Sequence, residues 1–161
     1  MASGNVLAKF FGGDLEPGST AKGGDRNGHP IAVYDPATNQ NAEYSDVMAR
    51  HYGGGGLTVY IHYSMATATS GDVDWDVALE RIGDQQQDVD ADGFAAVNSV
   101  DNTTVPGTAG NVDIVNITFT DGADMDSIAV GEGYRLRVTR DAAADTAAGD
   151  AEVHFVEVVE T

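Results

Sequence analysis

Cysteine is absent from the 161 residues, which excludes disulfides, thiolate metal sites and cysteine nucleophiles. Lysine is nearly absent: Lys9 and Lys22 stand alone, and Lys+Arg totals 8 against 26 Asp+Glu, a formal charge of −18. A chain this poor in cations lacks the clustered Lys/Arg that hold nucleic acid or an anionic membrane, so neither is expected as a partner. No run approaches the roughly 20 apolar residues of a membrane-spanning helix. Met1-Ala2-Ser3-Gly4-Asn5 has neither the basic nor the apolar region of a signal peptide. Helical signals are missing too: there is no heptad, no helical repeat and no long amphipathic stretch. What these absences leave is a soluble, acidic chain of single-domain size.

A hydrophobic fraction of 42% is enough for a core. It is distributed in short alternating runs between turn residues, the pattern of an antiparallel β-sandwich of jelly-roll type with about eight strands. In Leu57–Met65, the residues Leu57, Val59, Ile61, Tyr63 and Met65 share one face, and Thr58, Tyr60, His62 and Ser64 the other. The next run points Val73, Trp75, Val77 and Leu79 inward, with Asp72, Asp74, Asp76 and Glu80 outward. Val112–Phe119 groups Val115, Ile117 and Phe119. Gly133–Arg140 sets Tyr134, Leu136 and Val138 against Arg135, Arg137 and Thr139. Ala151–Val159 is read with Val153, Phe155 and Val159 on one face. Weaker strands fit Ile31–Tyr34, Glu43–Met48 and Phe94–Val100, and Met125–Ile128 fits a single helical turn. Residues 1–30 read as an N-terminal strand and an extended arm, rich in Gly, Asp and Ser from Gly12 to Pro30. Residues 31–161 form the sandwich, and the arm lies on a surface, its own or a neighbour's.

The acid is chiefly aspartate, 19 residues against 7 glutamates. Short carboxylate stems with little lysine suit a protein working in high salt, where self-repulsion is screened. A coding bias toward Asp, Ala, Gly and Val gives the same composition. Asp88, Asp90 and Asp92, followed by Gly93, match the first half of a calcium loop, but Ser99 stands where a bidentate glutamate belongs. Against this candidate metal site stands the plain alternative of a solvated acidic turn, and no other cofactor is expected. His29, His51, His62 and His154 form no HxH or HExxH pair. No GxSxG elbow or Ser/His/Asp set is evident, so no enzyme activity is expected. Gly53-Gly54-Gly55-Gly56 leads into a strand and lacks the Lys-Ser/Thr of a phosphate loop, so it reads as a flexible turn. The outward Arg135 and Arg137 are read as neutralising acid across a sheet or a subunit boundary.

Several stretches together resemble a known family: Arg26-Asn27-Gly28-His29-Pro30, Tyr52 to Tyr63, Ala68 to Trp75, Phe94-Ala95-Ala96, Gly131 to Asp141 and Gly149 to Glu152. The chain from about Asp25 onward resembles small β-sandwich virion structural proteins of tailed bacteriophages. That resemblance implies a non-enzymatic protein, foremost a capsid decoration (cement) protein, trimeric on the capsid surface and contacting the major capsid protein or other virion proteins. Many copies would let weak contacts sum. Phe10, Phe11, Arg26, His29, Arg135 and Arg137 are the candidate subunit or capsid contacts. The alternative is a head or tail fibre component or a carbohydrate-binding β-sandwich module in host attachment. In that alternative Tyr60 and His62 form a stacking platform, with Tyr63 and Trp75 near it but assigned by alternation to the core.

Overall fold

The computed structural model describes residues 4–161 and is all-β. Ten strands follow one another: β1 (Val6–Phe11), β2 (Lys22–Arg26), β3 (His29–Tyr34), β4 (Gln40–Val47), β5 (Leu57–Met65), β6 (Asp72–Ile82), β7 (Asn98–Thr104), β8 (Asp113–Phe119), β9 (Gly133–Arg140) and β10 (Ala151–Glu160). The sole helical element among the described residues is a 3₁₀ turn at Ala123–Met125, two residues before the predicted turn. One six-stranded sheet has the order β2-β3-β10-β5-β8, with β1 also paired to β10, and the other has the order β4-β9-β6-β7, all antiparallel. Among the described residues no helix is long and apolar enough to cross a membrane.

The alternation read in β5, β6, β8 and β9 is what packs the two sheets. Their inward side chains meet around Trp75, which lies edge-on to Tyr34 and Tyr63 at centroid separations of 5.2 and 5.3 Å. Tyr34, Tyr63, Trp75, Leu136 and Val138 are fully excluded from solvent. Removing this apolar area from water drives the sheets together, at about 25 cal/mol per Å². Arg140 continues the inward row of β9 and is buried with the core, its guanidinium paired to Asp145.

Three strand readings change. The run expected at Phe94–Val100 pairs four residues later, as β7, because Phe94 is used elsewhere (below). Asp74 and Glu80, read as outward, are nevertheless buried at 5% and 2% exposure. Asp74 sits where the β6–β7 register shifts and accepts a hydrogen bond from the Asn102 amide, and Glu80 pairs with Arg135. In β10 an extra residue, His154, breaks the alternation between Val153 and Phe155. Val153 and Val156 therefore both face the core, while Phe155 turns outward and is 47% exposed. A β-bulge has this effect: one added residue reverses the facing of everything after it.

The segment Gly12–Pro30 is extended, and of the two surfaces open to it, it lies on its own. Glu16 and the Thr20–Ala21 pair bond through backbone amides to Glu43 and Asn41 of β4. Lys22–Arg26 then pairs with β3, so the boundary expected at residue 30 falls inside a hairpin. That hairpin turns at Asn27 and Gly28, with φ of 51° and 84°, the two left-handed residues of a type I′ turn. The glycine run is also tied down. The Gly53 and Gly55 amides donate to Glu160 Oε1 at 2.8 and 3.1 Å, and Gly56 donates to the Tyr52 hydroxyl. It cradles the chain's own carboxylate, not a phosphate.

Candidate functional site

Register places four outward residues side by side across the six-stranded sheet: Phe11 on β1, Phe155 on β10, His62 on β5 and Ile114 on β8. Beside them runs a second row of Lys9, Glu157, Tyr60 and Asn116 on the same four strands. The first row is apolar and aromatic, the second polar. Phe11, Phe155 and Ile114 are 56%, 47% and 53% exposed, and Val112 beside them is exposed as well. A contiguous exposed apolar patch rimmed by polar groups marks an interaction surface.

The patch is contoured. Lys9, Phe11, His62, Phe155 and Glu157 line a cup of about 290 Å³. The Phe11 and Phe155 rings are 5.9 Å apart and tilted, and His62 meets Phe155 edge-on at 6.0 Å. Lys9 and Glu157 form a wide ion pair of 3.8 Å at the rim, which leaves both heads free to bond hydroxyls. On the other side of Phe155 lies a second cup of about 330 Å³, lined by Arg26, Asn27, His29, Gly110, Val112 and His154. Phe155 is the partition between the two.

Beneath the second cup a polar cluster is buried in the sheet. Ser64 Oγ lies 2.8 Å from His154 Nε2 and 3.2 Å from Glu152 Oε2, and Arg26 binds Glu152 at 2.5 Å and the Met65 carbonyl at 3.2 Å. This brings a serine, a histidine and a carboxylate together, which sequence spacing did not suggest. It is not a nucleophilic set. Ser64 is wholly buried, out of reach of any substrate, and Glu152 bonds the serine rather than orienting the histidine. Burial is the main cause that holds the His154 imidazole below its usual pKa. Glu152 opposes this, while His29, Arg26 and His62 reinforce it. The unfolded chain, near pKa 6.5, takes up a proton that the folded chain resists. His154 therefore costs no stability above that pH and erodes stability as the pH falls below it. Thermal melts between pH 8 and 5 should show this acid limb, and His154→Gln should flatten it; an unchanged slope would contradict the assignment.

The remaining predicted residues fall elsewhere. Phe10 faces inward and stacks on Tyr44 at 5.2 Å, so it is packed in its own chain. Tyr60 and His62 lie on the outward face as read. Tyr63 and Trp75 are core, and the partners of the platform are Phe11 and Phe155 instead. Arg135 and Arg137 neutralise acid across their own sheet: both bind Glu43, Arg135 also binds Glu80, and the Phe94 ring covers both guanidiniums at 4.9 and 3.9 Å. Asp88, Asp90 and Asp92 form an exposed turn closed by hydrogen bonds of Asp90, Ala91 and Asp92 to Asp88. Among the described residues no three His, Asp or Glu side chains gather as a metal site, these aspartates included.

No family model matches this sequence, and no curated protein does. Solved structures do match the fold. The C-terminal CBM6 of LamC, a marine laminarinase from Zobellia galactanivorans, superposes with TM-score 0.51 at 10% identity, covering 96% of this chain and 99% of that one. The xylan-binding module CBM15 gives TM-score 0.50 at 10% identity over 98% of both chains. The insecticidal delta-endotoxin Cry8Ea1 of Bacillus thuringiensis gives 0.53 at 10% identity, over 96% of this chain and 24% of the toxin. At such identities the likeness shows the fold: a jelly-roll β-sandwich.

Proposed function

We propose that this chain is a non-catalytic carbohydrate-binding β-sandwich module. The observation that carries the reading is the exposed row Phe11–Phe155–His62 with polar groups beside it. A pyranose has apolar C–H faces and a rim of hydroxyls. Rings flanking a cup supply the first contact, and the Lys9–Glu157 pair and Asn116 supply the second. The fold shared with a laminarinase's module and a xylan-binding module supports the same reading. Phe155→Ala should weaken oligosaccharide binding about 10- to 30-fold in calorimetric titration, the loss of an aromatic hot spot worth about 1.5–2 kcal/mol. Being exposed, Phe155 can be removed with little effect on the melting temperature, so an unchanged affinity in a folded variant would refute the site.

A second reading keeps the virion role: the same exposed rings are covered by another copy of the chain in an assembled decoration or fibre component. The phenyl rings of Phe11 and Phe155 favour it as well. Light scattering separates the two. A multimer that dissociates on Phe11→Ser/Phe155→Ser supports the assembly, and a monomer whose glycan affinity falls on Phe155→Ala supports the module.

A further inference from the structure

We infer that the second cup, beyond Phe155, receives an anionic sugar unit, so that the ligand is an acidic glycan rather than a neutral one. This rests on the carbohydrate-binding reading and adds the substrate class to it. On a chain of charge −18, an acidic ligand is repelled almost everywhere, so any place that accepts one has to be built for it. Three of the four histidines, His29, His62 and His154, stand around Phe155, together with Arg26. Donor groups that are scarce in the sequence are thus concentrated beside the aromatic row, with Arg26 the permanent cation among them.

The donors are held in place. Arg26, Asn27 and His29 come from the β2–β3 hairpin, whose two-residue type I′ turn fixes their relative positions. Arg26 uses one terminal nitrogen, Nη1, on Glu152 and the Met65 carbonyl. Its Nη2 edge lies against Gly110, where an added Cβ would stand 2.7 Å away and push the end of the guanidinium aside. Gly110 also has φ of +83°, doubly favouring glycine. No carboxylate lines this cup among the described residues; Glu152 beneath it is turned to Arg26 and Ser64, and Glu157 to Lys9 in the other cup. The second cup therefore offers its ligand Arg26 N–H groups, the Asn27 amide and the His29 ring. A carboxylate or a sulfate ester, rich in acceptors and negatively charged, suits these donors better than a neutral hydroxyl does.

Calorimetric titration of the intact chain decides this with three probes: neutral laminari-oligosaccharides, oligogalacturonate and a sulfated galactan oligosaccharide. The acidic probes should bind about tenfold or more tightly than the neutral one, and added salt should weaken the acidic probes only. Preference for oligogalacturonate assigns a carboxylate, and preference for the sulfated probe assigns a sulfate ester. Arg26→Gln should erase the preference for the acidic probes over the neutral one. Because Arg26 also holds Glu152, exposed His29→Gln serves as the second variant and should narrow the ratio of acidic to neutral affinity. Equal binding of neutral and acidic probes, lost in Phe155→Ala, would overturn the inference and leave the module standing. Binding of none of the three would overturn both.

Discussion

Arg140→Met should lower the unfolding free energy by about 3–5 kcal/mol, the cost of leaving one partner of a buried ion pair without its counter-charge. Arg140 is wholly excluded from solvent, and its Nε donates to Asp145 Oδ2 at 2.6 Å. Its two terminal nitrogens donate to the carbonyls of Tyr34, Gly149 and Ala147 at 3.2, 2.8 and 2.9 Å. One side chain thus joins β3, β9 and the Asp141–Asp150 connection to β10. Methionine fills part of the volume but satisfies none of these acceptors. A domain of this size holds about 5–15 kcal/mol in all, so the variant sits near the edge of folding. Urea titration followed by circular dichroism measures the loss. Arg140→Met/Asp145→Leu should recover part of it, because the stranded carboxylate is removed with its partner. A single variant within 1 kcal/mol of the parent would show that the guanidinium is not what closes this end of the sandwich.

Trp75→Ala should cost a similar amount, about 3–5 kcal/mol, for a different reason. The loss there is volume and dispersion, since the indole is fully buried between Tyr34 and Tyr63 and the sheets cannot collapse fully onto the space it leaves. The Trp75 Nε1 proton has no hydrogen-bond partner among the described residues. Trp75→Phe therefore forfeits packing but no bond, and should cost only about 1–2 kcal/mol. Calorimetric melting of the two variants tests the contrast. Equal losses would mean that the ring's polar edge, not its bulk, holds it in place.

Strand faces were readable where alternation was uninterrupted, as in Leu57–Met65 and Gly133–Arg140, because a half-buried antiparallel strand forces a period of two. β7 was not, since Asn98-Ser99-Val100-Asp101-Asn102-Thr103-Thr104 carries almost no apolar alternation and is held at the sheet edge by pairing with β6. Asn27-Gly28 is a strong hairpin signal that the glycine- and aspartate-rich surroundings masked. The functional face was half legible. Tyr60 and His62 could be placed outward from their own strand. Phe155 could not, because a single inserted residue at His154 leaves no mark in composition or spacing. Phe11 and Phe155 lie 144 residues apart and become neighbours only through the register of β1 on β10. A site assembled across strands depends on pairing, which one sequence does not encode locally.

Strand β10 lies between β5 on one side and β3 and β1 on the other. It is the last of the ten to be synthesised, yet it is the one on which β1, the first, depends for its pairing. During translation the four-stranded sheet can be complete once β9 has emerged. The other sheet, with its aromatic row, has no centre until residues 151–160 clear the ribosome. Assembly is therefore vectorial, with the half that carries the candidate site closing last. The nascent chain leaves Val6–Phe11 unpaired until β10 emerges, while Leu57–Met65 has only β8 beside it, a long-range dependence that favours slow folding.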